Sequence, residues 1–534
     1  MKKTFAITLG VLVALTLLLS PAGLMLVGQA ARPLADFNRD RAADLVLGVP
    51  DEDQGAATNM GAFQVLYGSS SGGLQGGSND VWGQFSNSAE SGDFFAYSLA
   101  AGDFDGDGHD DLAVGIPWED LEGTTTITNA GAVEVWYGGA SGLDSGSAEF
   151  WHQDVGSIQS LAEQGDLFGY ALAVGDFDAD GYDDLAVGLP YETWNQSNCG
   201  IVQIIYGSSG GLTDAGNQLF RQGAGQITEP EESGDHFGKA LAVGDFDGDG
   251  YDDLAIGAPD ENFESPSALT DAGLVHILYG STNGLSTLGW QTSSLATPAG
   301  YDYFGQALTS GDFDGNGYAD LAVGTPGRDL TGPVLDGGLV AVIFSDSGGF
   351  GADVELWQQA NPEHFDEFGS ALSAGDYNGD WLEDLAIGVP EEDLGTVADA
   401  GVLEILYGAT SGLVRRVGFN DLWHQDRSGM EDTAETGDGF GYALASGDFD
   451  GDGYADLVAG IPYEDVGGAD GAGAAQVLYG SANGINASGN WFFHQGLAAI
   501  EGQAASGDHF GKALVAIPRT VCRLFLPLVL RNAP

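Results

Sequence analysis

Asp103-Phe104-Asp105-Gly106-Asp107-Gly108-His109-Asp110-Asp111, running on into Leu112-Ala113-Val114-Gly115-Ile116-Pro117, is the stretch on which the fold turns. Its acidic pattern, Asp-x-Asp-x-Asp-Gly-x-x-Asp, returns in whole or in part seven times, with first aspartates at Asp36, Asp103, Asp176, Asp245, Asp312, Asp376 and Asp448. Self-similarity at so regular a period marks a repeat architecture. Aspartates at positions 1, 3, 5 and 9 of a tight loop, with glycine at 6 to permit the turn, converge on one point and offer hard oxygens to a cation.

In the second copy Asp103, Asp105, Asp107 and Asp111 are the expected side-chain ligands, and the carbonyl of His109 fills position 7. The same pattern assigns Asp176, Asp178, Asp180, Tyr182 and Asp184; Asp245, Asp247, Asp249, Tyr251 and Asp253; and Asp448, Asp450, Asp452, Tyr454 and Asp456. Three copies depart from it. The first reads Asp36, Asn38, Asp40, Ala42 and Asp44, with Arg41 in place of glycine. The fifth reads Asp312, Asp314, Asn316, Tyr318 and Asp320, and the sixth Asp376, Asn378, Asp380, Leu382 and Asp384, with Trp381 in place of glycine. Asparagine keeps an oxygen but loses a charge, so these sites are expected to be weaker, and whether the first and sixth hold an ion is left open. Up to seven Ca2+ ions are expected. An EF-hand is excluded, because Val114 stands where a bidentate glutamate belongs and the flanks read as short apolar strands, not helices. The plainer reading, Asp-Gly hairpin turns with no ion, fits one copy but not seven with the acids in register.

The 534 residues are 43% hydrophobic, with 27 Phe, 18 Tyr and 10 Trp, so the formal net charge of -64 does not mean disorder. It argues against nucleic acid or anionic membranes as partners. Lys2 and Lys3, the apolar run Phe5 to Leu19 and the small-x-small site Gly28-Gln29-Ala30 read as a secretory signal over residues 1–30, with no membrane insertion once it is removed. A retained anchor is the competing reading, since the apolar run continues to Val27. Cys199 and Cys522 make no disulfide framework, and whether they pair is open.

Each period carries more than the acidic loop. A Phe-Gly step precedes it (Phe168-Gly169, Phe237-Gly238, Phe304-Gly305, Phe368-Gly369, Phe440-Gly441, Phe510-Gly511), with Phe95-Ala96 as the deviant. After it come two strands, a Tyr-Gly turn such as Tyr137-Gly138, and an aromatic-x-Gln segment such as Trp151-His152-Gln153. The result is four short strands per repeat and no convincing helix. Seven four-stranded units predict an all-β, seven-bladed propeller. Loops and Phe-Gly strands are out of step by one: Asp36 has no such strand before it, and Phe510 to Ile517 no loop after it. The C-terminal strand is therefore expected to complete the first blade, which leaves no sheet edge open at the seam.

The phrase FGxALAxGDFDGDGxxDLAVGxP resembles the FG-GAP repeat, known from the seven-bladed N-terminal propeller of integrin α subunits and from secreted bacterial proteins. The resemblance runs from Asp36 to about Ile517, and gives residues 31–517 as the propeller and 518–534 as a basic, apolar tail. It implies Ca2+ held in the loop between the first two strands of a blade, and binding or adhesion rather than catalysis. Integrin leg domains and a transmembrane helix are missing, so an integrin-like partner subunit is not implied.

Other motifs carry less. Gly68-Ser69-Ser70-Ser71-Gly72 and Gly207-Ser208-Ser209-Gly210-Gly211 match G-x-S-x-G, but in a repeated hairpin turn and not in a strand-to-helix elbow. Trp82, Trp151, Trp290, Trp357, Trp423 and Trp491, with Gln84, Gln153 and Gln425, offer either a sugar-binding surface or packing between blades; packing is favoured. The acidic, variable loops at Glu119 to Ala130, Tyr191 to Cys199, Glu261 to Asp271 and Glu391 to Ala400 suit a basic protein partner. The sequence thus points to a secreted, extracellular or cell-surface monomer with structural calcium. It recognises a protein or glycan and is not an enzyme. The alternatives are a lectin-like propeller and a hydrolase with a central-channel site.

Overall fold

The repeated Asp-Leu-Ala-Val-Gly runs are apolar on both faces, and each becomes a strand buried along its whole length: Leu45–Val49, Asp111–Ile116, Asp184–Leu189, Asp253–Ala258, Asp320–Thr325, Asp384–Val389 and Asp456–Ile461. Burial on both faces fits a strand with neighbouring sheets above and below it. In the computed structural model, which describes residues 35–516 apart from 54–56, 71, 85–89, 124, 145, 147, 264–267, 333, 417–420, 498–499 and 501, each of these is the second strand of a four-stranded antiparallel sheet. The second blade is typical. Ser98–Gly102 is innermost, Asp111–Ile116 second, Ala132–Trp136 third and Glu149–Trp151 outermost, with Gly102 opposite Asp111 and Leu112 opposite Trp136.

There are seven such sheets, no helix occurs among the described residues, and the innermost strands touch one another in a closed cycle. The architecture is the seven-bladed propeller expected. Its first blade is completed by Ala513–Val515, which pairs with Leu45–Val49 through Val46–Val515, Leu47–Leu514 and Gly48–Ala513. The described residues belong to one compact unit, Arg32–Val521. The expected signal segment over 1–30, Ile517, the expected tail 518–534 and Cys522 lie outside the described residues. Cys199 is buried, its Sγ 3.7 Å from the carbonyl of Glu192.

The Phe-Gly step straps each blade to the one before it. Phe168 is fully buried and bridges to Gly131, in the preceding blade. The second-strand glycine is needed for the same contact: a Cβ on Gly115 would lie 2.2 Å from the carbonyl oxygen of Gly169. The deviant Ala96 keeps the left-handed conformation of its glycine counterparts, at φ 68°.

Candidate metal centres

The acidic loop connects the innermost and second strands, so all seven loops lie at the same end of the ring. Three hydrogen-bond patterns recur in every one. The N–H of position 6 donates to the aspartate at position 1: Arg41 to Asp36, Gly108 to Asp103, Trp381 to Asp376, and the other four alike. The position-5 side chain accepts from the N–H of position 7, as in His109 to Asp107 at 2.9 Å and Tyr318 to Asn316 at 2.8 Å. The aspartate at position 9 is a latch. Asp111 Oδ2 accepts from the N–H of Phe104 at 2.9 Å and Oδ1 from Gly138 at 2.8 Å, which ties the loop to the turn after the third strand. Asp44, Asp184, Asp253, Asp320, Asp384 and Asp456 make the same pair of bonds.

Five loops bring three carboxylates together, with ligand atoms all within 4.8 Å of one another: Asp103, Asp105 and Asp111; Asp176, Asp178 and Asp184; Asp245, Asp247 and Asp253; Asp312, Asp314 and Asp320; Asp448, Asp450 and Asp456. That span is about what two opposed oxygens subtend around Ca2+ at roughly 2.4 Å, so the donor set fits the ion. Position 5 (Asp107, Asp180, Asp249, Asn316 and Asp452) stands outside the triplets, occupied with its backbone cap. Burial, reinforced by neighbouring carboxylates, pushes Asp111 and Asp184 up to about 9 and Asp253 and Asp320 up to about 8. Crowded acids of this kind are relieved by protons or by a divalent cation.

The first and sixth loops form no such triplet among the described residues; Asn38 and Asn378 replace the middle acid. The turn itself survives without glycine: Arg41 and Trp381 take φ 80° and 71°, close to Gly108 at 88°. Around them Asp36, Asp40, Asp376 and Asp380 keep the backbone caps described above, and the Asn378 amide lies 3.2 Å from both oxygens of Asp384.

Two features escaped the sequence reading. Position 8 links the loops around the ring. Its N–H donates to the position-1 carbonyl of the preceding blade in all seven cases, including Ala43 to Asp448 across the seam. Where it is acidic, the carboxylate also accepts from the N–H of that same position-1 residue, as Asp110 does from Asp36 and Asp183 from Asp103. At the opposite end of the second strands the aromatic-x-Gln segments serve as clamps. Gln153 donates to Glu192 of the next blade at 2.7 Å, and Gln84, Gln222, Gln425 and Gln495 do the same to Glu119, Glu261, Glu464 and Glu52. Trp151 and Trp423 are buried, and Trp82 and Trp290 pack on Trp136 and His276. The glutamines hold neighbouring blades together, and the tryptophans are engaged in packing. The Gly207–Gly211 motif is a turn closed by Ser208 Oγ on the Gly211 carbonyl, so no nucleophile elbow forms there.

Comparison with known proteins agrees with the architecture. The FG-GAP repeat profile matches residues 95–136, 168–205, 237–278, 304–343, 368–403 and 440–478. The first blade, split between the chain ends, is not among the matches. Integrin alpha-PS2 of Drosophila melanogaster is 33% identical over 250 residues, 44% of this chain and 15% of the integrin. Phosphatidylinositol-glycan-specific phospholipase D of Rattus norvegicus is 34% identical over 210 residues, 38% of this chain and 24% of that protein. The chain thus spans under a quarter of the curated relatives it matches. The rhamnogalacturonan lyase YesW superposes with a TM-score of 0.36 at 15% identity, over 78% of this chain and 69% of that one, too loosely to transfer fold or chemistry. The phospholipase match overturns one expectation. The chain is similar over 210 residues to a protein named as an enzyme, so the non-enzyme reading is not secure and is withdrawn. The chain is an FG-GAP repeat protein, a seven-bladed propeller that resembles the N-terminal propeller of integrin α subunits.

Proposed function

We propose that this chain is a secreted, calcium-stabilised recognition module that acts at or outside the cell surface by binding another protein. One observation carries the reading: five loops on one face each gather three buried or half-buried carboxylates within 4.8 Å, on a frame fixed by backbone hydrogen bonds. When bound, calcium supplies the positive charge that lets those carboxylates stay ionised together. The chain's part is to place them. Asp103 and Asp105 come from the loop and Asp111 from the head of the second strand, so an ion there ties loop, second strand and third-strand turn into one body. Asp107, and the carbonyl of His109, complete the set we assign. The first and sixth loops, with asparagine at position 3, are the weakest of the seven sites.

Rigid blades leave recognition to the variable loops at the other end, such as 119–130 and 391–400. Their acidity suits a basic partner, and the integrin relatives support a role in adhesion. Two measurements test the proposal. Metal analysis after equilibrium dialysis is expected to find about five tightly held Ca2+ per molecule, one for each triplet. Capture of surface proteins from the native cells is expected to depend on calcium; a chain that holds no divalent ion sinks the reading.

A further inference from the structure

Lys2, Lys3, Lys239 and Lys512 are the only lysines in a chain of net charge -64. Lys239 and Lys512 sit in identical His-Phe-Gly-Lys-Ala pentapeptides, one residue before the innermost strands Ala240–Gly244 and Ala513–Val515. Each shares an aspartate oxygen with a histidine. Asp260 Oδ2 accepts from Lys239 Nζ at 3.1 Å and lies 2.7 Å from His236 Nδ1; Asp51 Oδ2 lies 2.8 Å from both Lys512 Nζ and His509 Nδ1. Asp260 and Asp51 stand just beyond the ends of second strands, so both clusters are at the channel mouth opposite the acidic loops.

The two clusters belong to the fourth and first blades. Between them the second and third blades supply a row of half-buried rings. Trp118 lies 4.8 Å from Tyr97, Tyr97 5.2 Å from Tyr170, Tyr170 5.7 Å from Tyr191, and Tyr191 4.8 Å from His236. The Tyr97 and Tyr170 hydroxyls are 3.2 Å apart. On the other side of the mouth Tyr442 lies 5.7 Å from Tyr463, and Tyr463 5.1 Å from His509.

We propose that this mouth binds an oligosaccharide bearing carboxylates, its sugar faces laid on the row of rings and its acids at Lys239 and Lys512. Contiguous amphipathic rings offer flat apolar area with hydroxyls at the rim, which matches the alternating C–H and O–H faces of a sugar chain. Each ammonium has three donors and gives one to its aspartate, so donors remain for a ligand. On a surface this negative, an anion is tolerated only beside fixed cations. The proposal goes beyond protein recognition but shares its end of the ring, since Tyr191 and Glu391 begin two of the variable loops; the lysine variants, read against sugar, tell the two readings apart.

Calorimetric titration of the full, calcium-loaded chain with a uronic-acid hexamer and a neutral hexamer of the same linkage tests it. The acidic hexamer is expected to bind the more tightly. Lys239→Met and Lys512→Met each weaken it about tenfold, the weight of one charge-assisted hydrogen bond, and leave binding of the neutral hexamer unchanged. Tyr97→Leu weakens both sugars. Because uronates also bind calcium, the lysine variants decide. No binding, binding indifferent to both lysines, or a glutamate hexapeptide bound as tightly overturns the proposal, whatever the outcome for calcium content or protein capture.

Discussion

Two sets of carboxylates lie at opposite ends of the same strand, and burial has raised both. At the head of Asp184–Leu189, Asp184 meets Asp176 and Asp178 and is pushed up to about 9. Just past its foot, Glu192 meets Asp166 and the Gln153 amide and is pushed up to about 8, while Asp166 rises to about 6. The residue type is the same, but the relief differs. Three oxygens in a 4.8 Å cluster suit a divalent ion; two carboxyls and an amide at a dry seam suit one shared proton. The seam between the fourth and fifth blades shows the alternative remedy. There Leu295 and Arg328 stand where other blades have glutamine and glutamate, and Arg328 donates to Asp302 at 2.8 Å.

The largest effect separates the two sets outright. Removing calcium at neutral pH leaves the loop acids uncompensated and the seams untouched. Each site filled at a hundred times its Kd contributes about 2.7 kcal/mol, so chelation is expected to lower the melting temperature by well over ~10 °C across five sites. An unchanged melting curve would falsify the structural role of the metal. Next comes Asp253→Asn, which turns an amide N–H against one of the two backbone N–H groups that Asp253 now accepts. It is expected to cost about 3 kcal/mol and one bound ion. Asp249→Asn is the control, since position 5 is already asparagine in the fifth loop; it is expected to keep its ion, and loss of that ion would show that the charge at position 5, and not only its oxygen, is needed.

The seams respond to pH in the direction set by their raised values. A folded-state value above the ordinary one means the native form binds the proton more tightly. Stability from Glu192 is therefore complete below its ordinary 4.5 and lost as pH rises through about 8. With calcium saturating, melting temperature is expected to fall between about pH 5 and 8. Glu192→Gln should flatten that slope, since each tenfold difference in proton affinity between the folded and unfolded chain is worth about 1.4 kcal/mol. Arg328→Gln should lower stability without flattening it. A slope indifferent to Glu192→Gln would show that the pair does not share a proton.

The loops were legible because their chemistry is local: four acids and a glycine within nine residues. Ring closure was legible from a count, since Asp36 lacks a strand and Phe510 a loop. What stayed hidden joins residues far apart in the chain. The Gln153–Glu192 clamp spans two blades, and the His236–Lys239–Asp260 cluster forms only where a strand entrance meets a strand exit. The Glu after the second-strand proline and the Gln after the aromatic do recur in register, and their joint loss at Leu295 and Arg328 is the signal that pairs them. The requirement at position 4 was also overlooked. Gly106, Gly248 and Gly379 sit at φ 72°, 73° and 72°, and Arg39 and Ala179 are forced to 58° and 53°.

The smallest effect isolates backbone strain from metal chemistry. Trp381 is 65% exposed, holds φ 71° at the position where five loops have glycine, and belongs to a loop without a carboxylate triplet. A left-handed residue with a Cβ costs roughly 1–2 kcal/mol relative to its ordinary basin. Glycine removes that cost and regains part of it as unfolded-chain entropy. Trp381→Gly is therefore expected to stabilise the ring by about 1 kcal/mol, equally with calcium and with chelator. The same gain in both conditions means that the sixth loop carries strain and no ion. A gain that appears only with calcium means that glycine has restored a site, which would move the sixth loop into the company of the other five.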